Sequence, residues 1–246
     1  MRVLSLGAGV QSSTLALMIE AGQVPSVDLA VFADTGWEPR AVYDYLEWLT
    51  ATVSFRVVVD SAGNLRKAMK TVAIPFYVKG ADGQVGMRPR RACTRDYKVA
   101  VVNRQIRQAH GVKQMGARSR TSLLLGISTD EAVRMRPNKS RWVTNEYPLI
   151  EAGMSRADCL AWMARAGYPP PPRSACLGCP FRSDPSWAQL KRESPAEWAA
   201  TVEADRELHT LGLCMHRSGK VLDQVDLGED APDLPWGDEC EGMCGL

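Results

Sequence analysis

The sequence predicts an α/β fold: a doubly wound parallel sheet over residues 1–150, with a C-terminal helical, cysteine-bearing extension over residues 151–246 packed on it. Three observations predict it. Short apolar runs alternate with stretches of helical period, the pattern of parallel strands joined by helices. The first apolar run, Val3-Leu4, passes through a glycine-rich turn straight into a helical run. The second ends at a polar cluster beginning with Asp34, which puts chemistry at the carboxyl edge of the strands, where such sheets take ligands. At 246 residues and 45% hydrophobic, the chain can bury a core for one large domain with an appendage.

In chain order, Ser5 to Thr14 reads as the end of a buried strand, a turn on Gly7 and Gly9, and a helix opening on hydroxyl residues and closing near Gly22. Glycines let the backbone approach a ligand closely, amide N–H groups point into the concavity, and the helix dipole adds partial positive charge. A phosphate or pyrophosphate is the natural occupant; a plain strand-to-helix turn is the alternative. Neither common phosphate loop fits. There is no Lys-Ser/Thr at triphosphatase spacing, and Ser12 stands where the third glycine of Gly-x-Gly-x-x-Gly would be.

Residues 27–33 form a second strand, ending at Asp34-Thr35-Gly36-Trp37-Glu38. Pro39 starts a helix with Val42, Leu46 and Leu49 at helical spacing, and Phe55 to Val59 gives a third strand. Residues 60–91 show no period and carry Gly80, Gly83, Gly86 and Pro89, so a mobile or substrate-gripping loop is expected. A helix over 93–109, a strand over 122–126 running into residues 127–136, and a further apolar stretch over 145–150 follow. Ser155 with Asp158 makes a capping box for a helix closed by Gly167. Asp184-Pro185 and Ser194-Pro195 start two more helices. Residues 213–222 suggest a hairpin turning at Ser218-Gly219, and the tail to Leu246 an extended segment.

Charge is polarised. Between Arg88 and Arg120 ten cations (Arg88, Arg90, Arg91, Arg95, Lys98, Arg104, Arg107, Lys113, Arg118, Arg120) face one acid, Asp96, although the net charge is only +2. The segment is either a polyanion-binding surface or a solvated helix face. No apolar run reaches membrane-span length and the first strand begins without signal-peptide anatomy, so a cytoplasmic protein with no membrane partner is expected. Seven cysteines in that setting point to metal, cluster or thiol chemistry rather than a disulfide framework.

Cys176-Leu177-Gly178-Cys179-Pro180 can bring two thiolates to one metal or cluster. Cys93 lies in the basic segment, and Cys240 and Cys244 form a looser second pair that keeps structural zinc open. A thioredoxin-like pair is disfavoured because four prolines, Pro169 to Pro172, precede the motif in place of a strand. Cys159 and Cys214 read as packed core thiols. His110, His209 and His216 have no ligand spacing, and the tryptophans are scattered at packing positions.

Aligned on Ser12, residues 7–12 resemble the pyrophosphate loop of the adenine nucleotide α-hydrolases, usually Ser-Gly-Gly-x-Asp-Ser, with Gly7 for serine, Ala8 for glycine and Gln11 for aspartate. Asp34 to Glu38, Cys93-Thr94-Arg95-Asp96-Tyr97-Lys98, Leu125-Gly126-Ile127 with Asp130-Glu131 and Arg134, Tyr147-Pro148-Leu149, and Cys176-x-x-Cys179-Pro180 follow in the order of the phosphoadenosine-phosphosulfate reductase-like branch of that superfamily. That branch includes DNA phosphorothioation ATP pyrophosphatases, and the resemblance spans about residues 1–190. It implies a Rossmann-like adenine nucleotide α-hydrolase fold with a nucleotide-binding domain over residues 1–150. It also implies ATP with Mg²⁺, held by Ser5, Gly7, Gly9, Gln11, Ser12, Ser13 and Gly126. Asp34, Arg134 and Ser12 are the implied catalytic residues; Asp34 could instead cap its turn, and Arg134 could pair with Asp130 on one helical face. A [4Fe–4S] cluster, with zinc as the alternative, would be held by Cys93, Cys176 and Cys179. Cluster-bearing reductases have Cys-Cys where this chain has Ala92-Cys93, so Cys240, Cys244 or Cys214 would supply a fourth ligand, or one iron would stay open.

The implied function is an ATP pyrophosphatase that adenylates a nucleic-acid oxygen and supports its replacement by sulfur. Its expected partners are DNA ahead of tRNA, a cysteine desulfurase or other sulfur donor, and a second copy of the chain in a homodimer. Adenylyl-sulfate reduction is the alternative. It is weakened because Glu239-Cys240-Glu241 and Cys244-Gly245-Leu246 both break the reductase tail Glu-Cys-Gly-Leu/Ile-His. A non-catalytic nucleotide-binding cluster protein, or a plain hydrolase or ligase, would fit the loop without the rest.

Overall fold

The computed structural model describes residues 1–80 and 82–228. Strand β1 (Arg2–Leu6) leads into helix α1 (Val10–Glu20), β2 (Leu29–Asp34) into α2 (Arg40–Thr52), and β3 (Val57–Ser61) into the short α3 (Leu65–Ala68). A hairpin of β4 (Tyr77–Lys79) and β5 (Val85–Met87) precedes one helix in three parts: α4 (Ala92–Thr94), a π-helical turn Arg95–Val99, and α5 (Ala100–Ala109). Strand β6 (Thr121–Leu125) is followed by a 3-10 helix, Thr129–Arg134, then β7 (Val143–Glu146) and α6 (Pro148–Glu151). Helices α7 (Arg156–Arg165), α8 (Asp184–Glu193) and α9 (Pro195–His209) and the two-residue β8 (Leu213–Cys214) come last. Among the described residues, no helix is long and apolar enough to cross a membrane.

The main sheet is parallel throughout, in the order β3-β2-β1-β6-β7. It is the doubly wound architecture expected, followed by a helical C-terminal region. Val3 of β1 registers with Leu29 on one side and Leu123 on the other, so β1 is central. Side chains alternate across the sheet. Leu4, Leu6, Ala30, Phe32 and Leu124 pack under α1, α2 and α7, while Val3, Leu29, Val31, Leu123 and Leu125 pack against Val102 and Ile106 of α5. Burial on both faces explains why the strands read as unbroken apolar runs. Strand order reverses at β1, so the crevice outside the carboxyl ends of β1 and β6 is the topological switch point.

A third core lies beside the sheet. Trp187 and Leu190 of α8 and Trp198, Val202 and Leu208 of α9 bury Leu65, Met69, Ile74, Phe76 and Leu177. Residues 60–91 are therefore a built part of the fold rather than the loop expected from sequence. Their apolar residues pack on helices at irregular spacing, so no strand or helix period shows. The 213–222 stretch also differs from expectation: β8 pairs antiparallel with β4, Tyr77 opposite Cys214, instead of folding back on itself. Only the turn remains, with Gly219 N–H donating to His216 O at 3.0 Å. The Ser155–Asp158 capping box forms in both directions. The extended tail expected beyond Gly228 lies outside the described residues.

Candidate functional site

The turn between β1 and α1 is held from within. Gly7 N–H donates to Ser12 Oγ at 3.1 Å, and Ser12, Ser13 and Thr14 are fully buried. Ala8 sits at φ 54°, the left-handed region where a side chain costs about 1–2 kcal/mol, so the loop holds its curvature against backbone preference. Helix α1 then starts at Val10 with no side-chain cap and no acid in its first turn. Its first-turn amides lack intrahelical acceptors and carry the positive end of the dipole. Ser12 is thus a brace of the loop rather than a group at its surface, and Ser5 is buried within β1.

Across the switch point, β6 comes close enough to touch. A Cβ at Gly126 would stand 2.6 Å from Ser12 N and 2.7 Å from Ser12 Cα, so only glycine fits. Gln11, 1% exposed, donates to Ser128 Oγ at 3.3 Å and to Glu131 Oε2 at 3.1 Å. Glu131 in turn accepts from Arg134. Arg134 therefore pairs with Glu131, not Asp130, because in a 3-10 helix residues three apart eclipse. Asp130 instead accepts the Ser128 hydroxyl and the Arg156 N–H at the start of α7. Asp34, at the end of β2, accepts from Gly36 N–H at 2.7 Å and from the Tyr43 hydroxyl at 2.8 Å. It does cap its turn, as one expectation had it. Burial, and then the Asp34 hydrogen bond, push the Tyr43 phenol above its ordinary value, keeping it a neutral donor.

The cysteines converge one strand away. Cys93, Cys176 and Cys179 line one cavity together with Thr35, Trp37, Arg91, Lys98 and Phe181. Cys93 and Lys98 are five residues apart, and the π turn between them puts both on the cavity wall. The Cys176–Cys179 turn closes with Cys179 N–H donating to Cys176 O at 3.0 Å, and it docks on residues 35–38. Leu177 N–H donates to Trp37 O at 2.8 Å, and Cys176 Sγ donates to Glu38 Oε1 at 3.3 Å beside Thr35 Oγ1. Gly178 lies flat on the Trp37 ring, where a Cβ would come within 2.1 Å of Trp37 Cη2. From behind, the buried Arg182 donates to Cys176 O, Ala175 O and Ser186 Oγ. Burial, and then the Glu38 carboxylate, raise the Cys176 thiol well above its usual range.

Three thiols and two cations thus line one cavity. Among the described residues, no group of three or more His, Cys, Asp or Glu is arranged to hold a metal ion. Cys240 and Cys244 lie outside those residues. Cys214, donating to Tyr77 O at 3.5 Å, and Cys159 are packed core thiols, as expected. His216 bonds Asp184 and Ser218, and His110 bonds Thr121. In the basic segment, Arg95 pairs with Asp96 and Arg104 with Asp60, whereas Arg90, Lys113, Arg118 and Arg120 are exposed. Glu38, Thr35, Glu131 and Arg182 escaped sequence reasoning as site residues. Glu38, Thr35 and Glu131 each act through a partner more than 100 positions away, and no local pattern marks such a pairing; Arg182 bonds carbonyls six and seven positions back, and only its burial in the folded chain makes it a support of the cysteine turn.

No family model matches the sequence, and no curated protein matches it. Among solved structures the chain is similar to a phosphoadenylyl-sulfate (PAPS) reductase from Candida auris in a phosphate complex. The likeness has a TM-score of 0.46 and 15% sequence identity, and covers 69% of this chain and 74% of that one. The fold assignment rests on the strand order and register of the chain itself.

Proposed function

We propose that the chain is an ATP pyrophosphatase that adenylates an oxygen of nucleic acid, DNA ahead of tRNA, and supports replacement of that oxygen by sulfur. One observation carries the reading: the glycine loop follows β1 and the cysteine turn docks on the residues that follow β2, so both lie at the carboxyl edge of one parallel sheet. An anion cradle beside a thiol cluster suits a reaction that spends a nucleotide to move sulfur.

The first-turn amides of α1 bind the pyrophosphate of ATP, with Arg134 as the flanking cation and Asp34 facing the nucleotide or its metal. The nucleic-acid oxygen attacks the α-phosphorus. The bond to the bridging oxygen breaks, and pyrophosphate leaves with that electron pair. Sulfur then attacks the atom bearing the adenylated oxygen, and AMP departs. Mg²⁺ supplies charge neutralisation on the phosphates when bound. Cys93, Cys176 and Cys179 would hold a [4Fe–4S] cluster, whose chemistry is sulfur or electron supply, with Lys98 and Arg91 offsetting its negative charge. A cysteine desulfurase, or another persulfide donor, delivers the sulfur; once its outer sulfur has displaced AMP, two electrons from a thiol reductant cleave the S–S bond to the carrier cysteine, which leaves as a thiolate. The exposed Arg90, Lys113, Arg118 and Arg120 meet the nucleic-acid backbone.

The test is an anaerobic incubation of the full chain with ATP, Mg²⁺, ³⁵S-cysteine, a cysteine desulfurase, dithiothreitol as reductant, and either DNA or tRNA. The expected result is pyrophosphate and AMP formed only with nucleic acid, and ³⁵S in that nucleic acid. Sulfite released from adenylyl sulfate, with no pyrophosphate from ATP, would replace this reading with the reductase. ATP bound without turnover under every condition would leave a nucleotide-binding protein.

A further inference from the structure

Gln11 is the buried polar residue that neither the loop nor the sheet explains. It is the second residue of α1, with an exposure of 1%. Its Nε2 is shared between Ser128 Oγ and Glu131 Oε2, while its Oε1 is buried without a hydrogen bond. Such an arrangement costs free energy and holds because something else is gained. The gain is downstream: Glu131, only 14% exposed at its side chain, presents its other oxygen to Arg134.

We infer that Gln11 is a positioning residue, fixing Glu131 so that Glu131 holds the Arg134 guanidinium beside the anion loop; this rests on the phosphate-binding reading of that loop. The amide is the required chemistry. A carboxylate at position 11 would face Glu131 at hydrogen-bonding distance, and two like charges there cannot both stay ionised. An apolar residue would remove the hydrogen bond that Gln11 gives Glu131 Oε2, and with it this restraint on the carboxylate. Gly126 fixes the geometry by allowing the two backbones to touch beneath this bridge. The loop and the arginine, more than 100 residues apart in sequence, are thereby set as one unit.

The test measures the Kd of Mg·α,β-methylene-ATP for the full chain and the variants Q11A, R134A, Q11A/R134A, Q11E and Q11E/E131Q. Q11A and R134A are each expected to weaken binding about tenfold, the size of one charge-assisted hydrogen bond. The double variant should be no weaker than R134A alone, because Gln11 acts through Arg134. Q11E should lose affinity, and Q11E/E131Q, which exchanges acid and amide, should recover it. Additive losses, wild-type affinity in Q11A, or no recovery in the folded swap variant would overturn the inference. A second readout is the Arg134 guanidinium ¹H–¹⁵N resonances, assigned against R134A: resolved in the wild type and averaged in Q11A. If the wild type binds no nucleotide while this difference persists, the phosphate-loop reading fails and the positioning stands. If the resonances do not change in Q11A, the positioning fails.

Discussion

The glycine loop proposed to bind phosphate is made by one run of chain, residues 5–14, whereas the cysteine cavity gathers Thr35 and Trp37, Leu65, Ile74, Arg91 to Lys98, and Cys176 to Phe181. The first is shaped by local rules: a strand, two glycines, a helix start, and a serine reaching back to an amide five residues earlier. The second exists only when the sheet edge, the π-containing helix and the C-terminal helices have all packed. Two sites on one edge can therefore be broken separately, and they should fail in different ways.

The largest effect is expected at Gly126. In Gly126→Ala a methyl would meet the backbone of Ser12, which cannot swing aside, so stability should fall by about 3 kcal/mol. Mg·α,β-methylene-ATP binding should be lost even where the protein is folded. Gly178→Ala meets the Trp37 ring instead and should cost about 2 kcal/mol. Here the cavity is disturbed while nucleotide binding persists. Urea unfolding and nucleotide titration of both variants decide it; two variants that lose the same property would mean that the two sites are not separable.

Thiol reactivity sharpens the contrast within the cavity. With iodoacetamide at pH 8 on chelator-treated chain free of metal, read peptide by peptide, half-buried Cys93 and Cys179 should be alkylated well before Cys159, Cys176 and Cys214. Burial pushes the Cys214 thiol to about 11, and burial with Glu38 raises Cys176 further from reactivity. In Gly178→Ala, Cys176 should react faster while Cys214 does not change.

The smallest effect concerns acid. Glu207 of α9 is held at about 2 by the Arg66 guanidinium and then by Lys70, tying α9 to the stretch that carries Leu65 into the cavity wall. A carboxylate lowered on folding stabilises above its ordinary value of 4.5, and that stabilisation is lost as pH falls towards 2. Glu207→Gln should flatten the pH dependence of the unfolding midpoint in that window, with a slightly lower midpoint than wild type near pH 7 and convergence with it towards pH 2. An unaltered acid slope would show that the ion pair does not hold the cavity side together.

The same contrast decides what could be read from sequence. The strands, the loop, the capping box at Ser155 and the helix starts at Asp184 and Pro195 follow from period and capping chemistry, which act over a few residues. The hairpin β4–β5 does not, because its three-residue strands gain order from β8 and from Phe76 and Ile74 packing on distant helices. Cys176–Cys179 was visible as a motif, but its docking on Trp37 and Glu38 was not. The π turn left no mark in residue type, although it carries Lys98 to the cavity wall beside Cys93. Arg134 was legible as a cation near the crevice, and its partner was missed because the helix carrying it winds as 3-10.

Anaerobic purification of the full chain, with iron, acid-labile sulfide and zinc determined on one sample, tests most directly whether the thiol cavity serves sulfur chemistry. About four irons and four sulfides per chain are predicted, as one [4Fe–4S] cluster requires. Zinc without sulfide would contradict the sulfur-supplying role proposed for Cys93, Cys176 and Cys179.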